Sequence, residues 1–235
     1  MEHETAALCA RRDALLEQVA AAAKRSGRRA ADITLLAVSK YQPAQAVAAL
    51  AACGQTHFSE NYIQEALEKM EELHEYELNW HFTGHLQSNK ARFAVGRFSL
   101  VHTVDSFKLA QALHKRASAQ GMRQAVLLQV NIGDETQKAG VAPEALPELA
   151  ENVAGLSGIE VRGLMCLPPW LEDPEAVRPS FARLRRLQED VERRMGMALP
   201  ELSMGMSHDF EQAVEEGATI VRIGTALFGP RPASR

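Results

Sequence analysis

The sequence predicts an α/β protein: a single (β/α)8 TIM barrel with an extra N-terminal helix. Three observations carry that reading. Eight short aliphatic and β-branched runs recur along the chain, separated by helical patterns. The runs are apolar throughout rather than alternating, as parallel strands covered on both faces are. No Gly-x-Gly-x-x-Gly follows the first run, where an open dinucleotide-binding sheet would place one. Eight parallel strands close on themselves, and 235 residues suit one such unit, so residues 1–235 are expected to form one domain.

The elements follow in order. Ile33 to Ser39, bounded by Asp32 and followed by Pro43, reads as a buried strand, and alanine-rich residues 43–52 as a helix. Thr56 to Ser59 is the second strand. Beyond Asn61, residues Ile63, Ala66, Leu67, Met70 and Leu73 recur at steps of three and four, which makes one apolar helix face. Trp80 to Thr83 is the third strand, with a helix over 87–95. Leu100 to Val104 is the fourth, followed by a helix from Ser106 to about Ala119. Ala125 to Ile132 is the fifth, and its helix starts at Pro143. Ile159 to Cys166 is the sixth. The long helix after it sets Val177, Phe181, Leu184, Leu187, Val191 and Met195 on one face and Arg183, Arg185, Arg186 and Glu189 on the other. Leu202 to Met204 precedes a helix from Ser207, and Ile220 to Ile223 is the eighth strand, with no helix expected behind it. Residues 5–25 form the additional helix, which can fill that missing place. The loosest segments are Gly133 to Ala142 and Pro168 to Pro179, both after a strand, where barrels carry their active-site loops.

Composition excludes several classes. With 26 basic and 30 acidic residues the net charge is −4, without the basic excess of a nucleic-acid-binding protein. Cys9, Cys53 and Cys166 are odd in number and form no Cys-x-x-Cys pair, so neither a disulfide framework nor a zinc site is expected. No run approaches the roughly 18 apolar residues of a membrane span. The opening Met1-Glu2-His3-Glu4-Thr5 is acidic where a signal peptide is basic. A cytoplasmic protein with a small anionic or zwitterionic ligand is the expectation, with no nucleic-acid or membrane partner.

In a barrel the site lies at the carboxyl ends of the strands. There the sequence places Lys40, Glu60 and Asn61, His85, Asp105, Asn131, Cys166, the segment Ser203 to Ser207, and Gly224 with Thr225. Lys40 ends a buried apolar strand, where a partly desolvated amine can attack a carbonyl, although strand-end lysines also simply reach into water. Ser203-Met-Gly-Met-Ser207 and Arg222-Ile-Gly-Thr225 end strands seven and eight, the usual place for phosphate in barrels. Gly224 would let the backbone approach an anion, and Ser207 and Thr225 would donate hydrogen bonds. The plainer roles are an N-cap for Ser207 and a turn for Gly224. Arg222 points either into the barrel or out between helices; pointing inward, it needs a partner for its guanidinium. Ser207-His208-Asp209 holds triad residue types, but neighbours in sequence cannot form a relay. His81 and His85 lack a third metal ligand at suitable spacing, so they read as packed or solvated.

Five segments together resemble one family. Ala37-Val-Ser-Lys40, His57-Phe-Ser-Glu-Asn61, Trp80-His-Phe-Thr-Gly-His-Leu-Gln-Ser-Asn-Lys90, Ser203-Met-Gly-Met-Ser207 and Val221-Arg-Ile-Gly-Thr-Ala-Leu-Phe-Gly229 look like the pyridoxal phosphate homeostasis protein family. From the first strand, which opens at residue 33, they run to residue 229 in the family's order. The resemblance implies a barrel like the N-terminal domain of alanine racemase, carrying pyridoxal 5′-phosphate (PLP). It implies Lys40 as the Schiff-base lysine, Ser207, Gly224 and Thr225 as phosphate contacts, Arg222 facing the pyridine nitrogen, and Asn61 near the cofactor. Lys138 matches a lysine proposed as a secondary contact. Two departures stand out. Gln42 occupies a position where many members carry a second lysine, and the ending Arg231-Pro-Ala-Ser-Arg235 lacks the family's tail lysines. Neither position supplies the lysine on which a hand-off of cofactor of the kind the resemblance implies would rely, while the primary site is unaffected.

The resemblance implies a holder of PLP that acts in intracellular vitamin B6 and amino-acid homeostasis, without established turnover. Its expected partners are PLP and PLP-dependent apo-enzymes, and the chain would be a monomer or weak dimer. The alternative is a PLP-dependent racemase or related enzyme. A racemase needs proton-transfer groups on both faces of the cofactor. Lys40 supplies one, but the racemases' opposite tyrosine comes from a second domain, and the tyrosines here are Tyr41, Tyr62 and Tyr76. An arginine at the ring nitrogen can only donate and leaves that nitrogen unprotonated, which disfavours decarboxylation more than racemisation.

Overall fold

Alternation of side chains along each strand decides what fills the centre of the molecule. The computed structural model describes residues 2–133 and 139–229. Its eight strands are β1 (Thr34–Val38), β2 (His57–Glu60), β3 (Asn79–Phe82), β4 (Leu100–Val104), β5 (Gln124–Val130), β6 (Ile159–Cys166), β7 (Glu201–Ser203) and β8 (Ile220–Ile223). All neighbours pair in parallel, and β1 pairs with β8, so the sheet is a closed barrel in sequence order. The predicted fold class holds, and each predicted strand is present to within two residues at either end.

The barrel interior has two halves of different character. Leu36, Leu100, Leu127, Met165 and Ile220 pack together as an apolar inner cluster. Against them stand buried polar side chains: Ser59 on β2, His81 on β3, His102 on β4, Ser203 on β7 and Arg222 on β8. Outside the sheet, a much larger apolar layer joins the strands' outward faces to the helices.

The helices are α1 (Glu2–Arg25), α2 (Ala44–Ala52), α3 (Ile63–Glu72), α4 (Ala91–Ala94), α5 (Phe107–Ala119), α6 (Leu146–Ala154), α7 (Arg178–Met195), α8 (Phe210–Glu215) and α9 (Thr225–Phe228). Helix α1 buries Leu8, Leu15, Val19, Ala22 and Ala23 and packs against α8, α2 and α9. It covers the side of the barrel where a full eighth helix would lie, as the sequence suggests. Arg28 then locks the entry to β1 by donating from Nη1 to the Val214 and Ala218 carbonyls, both at 2.8 Å.

Four local expectations need correction. The helix over 87–95 is a 3-10 turn, Ser88–Lys90, followed by the single turn of α4. The helix expected from Ser207 starts at Phe210, because Asp209 takes the N-cap position and its Oδ1 accepts from the Met206 N–H at 2.6 Å. Strand β8 is followed by a helix after all, the short α9. Cys9 and Cys53 form a disulfide, although 44 residues separate them. Packing of α1 on α2 brings their Cα atoms to 5.7 Å, and sequence spacing carries no signal of such a contact. Cys166 is the free, buried cysteine. Among the described residues, no helix is long and apolar enough to cross a membrane.

Candidate functional site

Period-two alternation aims three residues of each strand bordering the site the same way. On β1, Leu36 joins the inner cluster, and Val38 and Lys40 follow it onto the cavity wall. On β8, Ile220 belongs to that cluster and Arg222 and Gly224 follow it. The β1–β8 register sets Leu36 beside Arg222 and Ala37 beside Ile223. A cavity of about 510 Å³ opens at this carboxyl end, lined by Lys40, Asn61, Ser207, Arg222, Gly224 and Thr225 among others. All six residues singled out in the sequence therefore line one cavity. Lys138 lies outside the described residues. Met165, Leu167 and Trp170 give the cavity apolar surface, and the Trp170 ring stacks on His208 at 5.9 Å.

Lys40 is half-buried, and a buried network fixes the strand end that carries it. The Lys69 ammonium donates to the Ser39 carbonyl, to Glu60 Oε1 and to Glu65 Oε1, each at 2.7 Å. The Ser39 hydroxyl donates to the same Glu60 oxygen at 2.7 Å. Burial pushes the Glu60 carboxyl up from its ordinary range, and the adjacent Lys69 ammonium opposes that rise. Next to Lys40, Tyr41 adopts a left-handed backbone (φ 64°), a strained choice for a bulky residue. Its N–H donates to Glu65 Oε1 at 2.5 Å, and its hydroxyl meets that of Tyr62 at 2.5 Å. The backbone immediately after the lysine is thus held by the same carboxylate that binds Lys69.

Asn61 follows β2, and Thr83 Oγ1 donates to its Oδ1 at 3.1 Å. Gly84 is essential to this corner, since a Cβ there would lie 2.0 Å from the Asn61 carbonyl oxygen. On the opposite loops, the Ser207 hydroxyl accepts from the Ala226 N–H at 3.2 Å. Ser207 thus serves the first turn of α9 rather than its own helix. Thr225 is exposed beside it, and Gly224 offers backbone without a side chain.

Arg222 points inward and is 4% exposed. Two of its five N–H donors are used below the cavity: Nη1 donates to Ser203 Oγ at 2.7 Å and Nη2 to the Cys166 carbonyl at 2.8 Å. That answers the partner its burial demands. Sequence reading missed three residues here: Lys69, which sits on the buried face of α3, and His57 and His102. Histidines at inward positions of β2, β3 and β4 were the available signal for the last two.

The alanine racemase N-terminal domain family matches residues 11–232. Over 223 residues the chain is 47% identical to the pyridoxal phosphate homeostasis protein of Aquifex aeolicus, covering 95% of this chain and 98% of that one. The chain belongs to the pyridoxal phosphate homeostasis protein family. A Pseudomonas aeruginosa member of the pyridoxal phosphate homeostasis protein family is 50% identical over 210 residues, 89% of this chain and 90% of the relative. Among solved structures, PipY of Synechococcus elongatus with PLP bound superposes at a TM-score of 0.83 and 38% identity, covering 94% of this chain and all of that one (100%). An alanine racemase from Clostridium difficile superposes at 0.73 and 16% identity, over 93% of this chain and 60% of that one, and shows a shared fold alone. The pyridoxal phosphate homeostasis protein family thus extends over both halves of the cavity wall, from Lys40 to Thr225.

Proposed function

We propose that the cavity binds pyridoxal 5′-phosphate and that the protein serves intracellular vitamin B6 and amino-acid homeostasis as a holder of this cofactor. The observation that carries the reading is one cavity lined by an amine, a buried guanidinium, two hydroxyls and a side-chain-free glycine. Each matches a part of PLP. Lys40 would meet the aldehyde, Arg222 the ring nitrogen, Asn61 the ring's neighbourhood, and Ser207, Gly224 and Thr225 the phosphate. Met165, Leu167 and Val38 offer apolar surface to a flat ring. When bound, PLP supplies an aldehyde that condenses with a primary amine.

The protein's own residues do the rest. Lys69 and Glu60 hold the end of β1 so that Lys40 meets the aldehyde without searching many conformations. Arg222 would donate toward the ring nitrogen and leave it without a proton, which would restrain the cofactor's power to draw electrons. Tyr41, Tyr62 and Tyr76 do not line the cavity, so none serves as a second acid on the far face. The missing tyrosine favours holding over racemisation, and the arginine disfavours decarboxylation. PLP-dependent apo-enzymes are the recipients we propose, with a one-domain monomer or weak dimer acting in the cytoplasm.

The test is direct. Purified protein incubated with PLP should turn yellow, and borohydride should fix the cofactor on the peptide containing Lys40. The Lys40→Ala variant should fold and melt as before yet trap none. Trapping at another lysine in that variant would refute the assignment.

A further inference from the structure

A chain of side chains runs through the barrel beneath Arg222. Ser203 Oγ lies 2.7 Å from Arg222 Nη1 and 2.9 Å from His102 Nδ1. His102 Nε2 lies 2.9 Å from His81 Nδ1. His81 Nε2 lies 3.1 Å from Nδ1 of His57, half-buried at the start of β2. Five strands contribute one residue each: β8, β7, β4, β3 and β2.

The hydrogen bonds can point only one way. A guanidinium donates and never accepts, so Ser203 must accept from Arg222. Among the described residues the Ser203 hydroxyl has one other partner, His102, so its single proton goes to His102 Nδ1. That leaves the His102 proton on Nε2, donated to His81 Nδ1, and the same logic passes it from His81 to His57. Reversing the line would leave a buried hydroxyl proton with no acceptor, an outcome proteins avoid. Aligned bonds of this kind strengthen one another in a buried setting.

The surroundings keep the rings neutral. Burial pulls His81 down to about 3, with His57 adding to the effect. Burial holds His102 well below its ordinary range, helped by His81 and Arg222. Burial lowers His57 from its ordinary value, outweighing Glu201 on β7, which favours its protonation. Burial lowers the Arg222 guanidinium from its ordinary range, and Cys166 and Asp209 oppose that shift.

We propose that His57, His81, His102 and Ser203 are positioning residues, a one-way hydrogen-bond line that fixes how Arg222 presents its remaining donors to the ligand. The link to a ring nitrogen rests on the PLP reading above; the line itself does not. Two measurements separate them. In cofactor-free protein, nitrogen-15 NMR of the histidine rings near neutral pH should show all three as neutral Nε2–H tautomers. A charged ring or an Nδ1–H tautomer at His81 or His102 overturns the proposal, whatever the ligand.

With PLP added, Ser203→Ala should shift the absorption band of the bound cofactor and weaken its binding about tenfold, the scale of one lost bond to a charged group. His102→Leu should do the same, whereas Ser203→Thr, which keeps the hydroxyl, should restore both. Melting of each variant without ligand reports folding separately. Unshifted bands and unchanged affinity in a folded Ser203→Ala protein would overturn the positioning role. If the unaltered protein failed to bind PLP while the tautomers were as stated, the ligand reading would fall and the line would stand.

Discussion

At the scale of single residues, the loops proposed to receive the phosphate lend themselves to a selective test. Ser207 accepts from the Ala226 N–H at 3.2 Å, a long bond that an arriving anion can replace, and Thr225 is exposed beside it. Thr225→Val keeps the shape and removes one hydroxyl. It should weaken PLP about tenfold, given roughly 1.5–3 kcal/mol for a bond to a charged group, and leave unphosphorylated pyridoxal unaffected. Calorimetric titration of both ligands into both proteins decides it; an equal loss for the two would place the phosphate elsewhere. Lys40 was legible in the sequence because it ends a buried apolar strand, where barrels keep their sites. Lys69 was not legible, since an ammonium on an apolar helix face becomes sensible only once Glu60, Glu65 and the Ser39 carbonyl converge on it. The inward aim of Arg222 was likewise open until Ser203 and the Cys166 carbonyl appeared as its partners.

At the scale of elements, strands were readable and the bounds of the short helices were not. Eight apolar runs announce themselves through composition, whereas α4, α8 and α9 span 4, 6 and 4 residues, too short to complete a periodic pattern. Helix α1 was readable as a helix filling the missing eighth place, but its approach to α2 was not, and the Cys9–Cys53 disulfide is the consequence. That link closes a loop over a 44-residue separation, for which chain entropy alone gives about 4 kcal/mol. Reduction, or Cys53→Ser, should therefore lower the melting temperature by several degrees while PLP binding stays intact, because neither cysteine lines the cavity. Calorimetric melting with and without reductant measures it, and unchanged melting would show that the link does not stabilise the fold.

At the scale of the whole molecule, the buried histidines set an acid limit. Their folded values lie below the ordinary 6.5, His81 at about 3, so the unfolded chain binds protons first as the pH falls. Stability is intact above pH 6.5 and declines as the pH drops from there toward 3, His81 alone contributing about 1.4 kcal/mol per pH unit. Denaturant midpoints measured between pH 7 and 4.5 should show that slope, and His81→Phe should flatten it. A slope unchanged by the substitution would assign acid sensitivity to other groups. The barrel's closure also has a consequence in time. Strand β1 pairs with β8, joining Leu35 to Val221, and Arg28 bonds to the carbonyls of Val214 and Ala218. During synthesis on the ribosome, the first strand and the apolar stripe of α1 emerge long before the segments that cover them. A nascent chain of this protein must wait, one edge unpaired, for its last strand. Folding of this protein is therefore a seam sealed last, and chaperones that shield open sheet edges would act on it most during that interval.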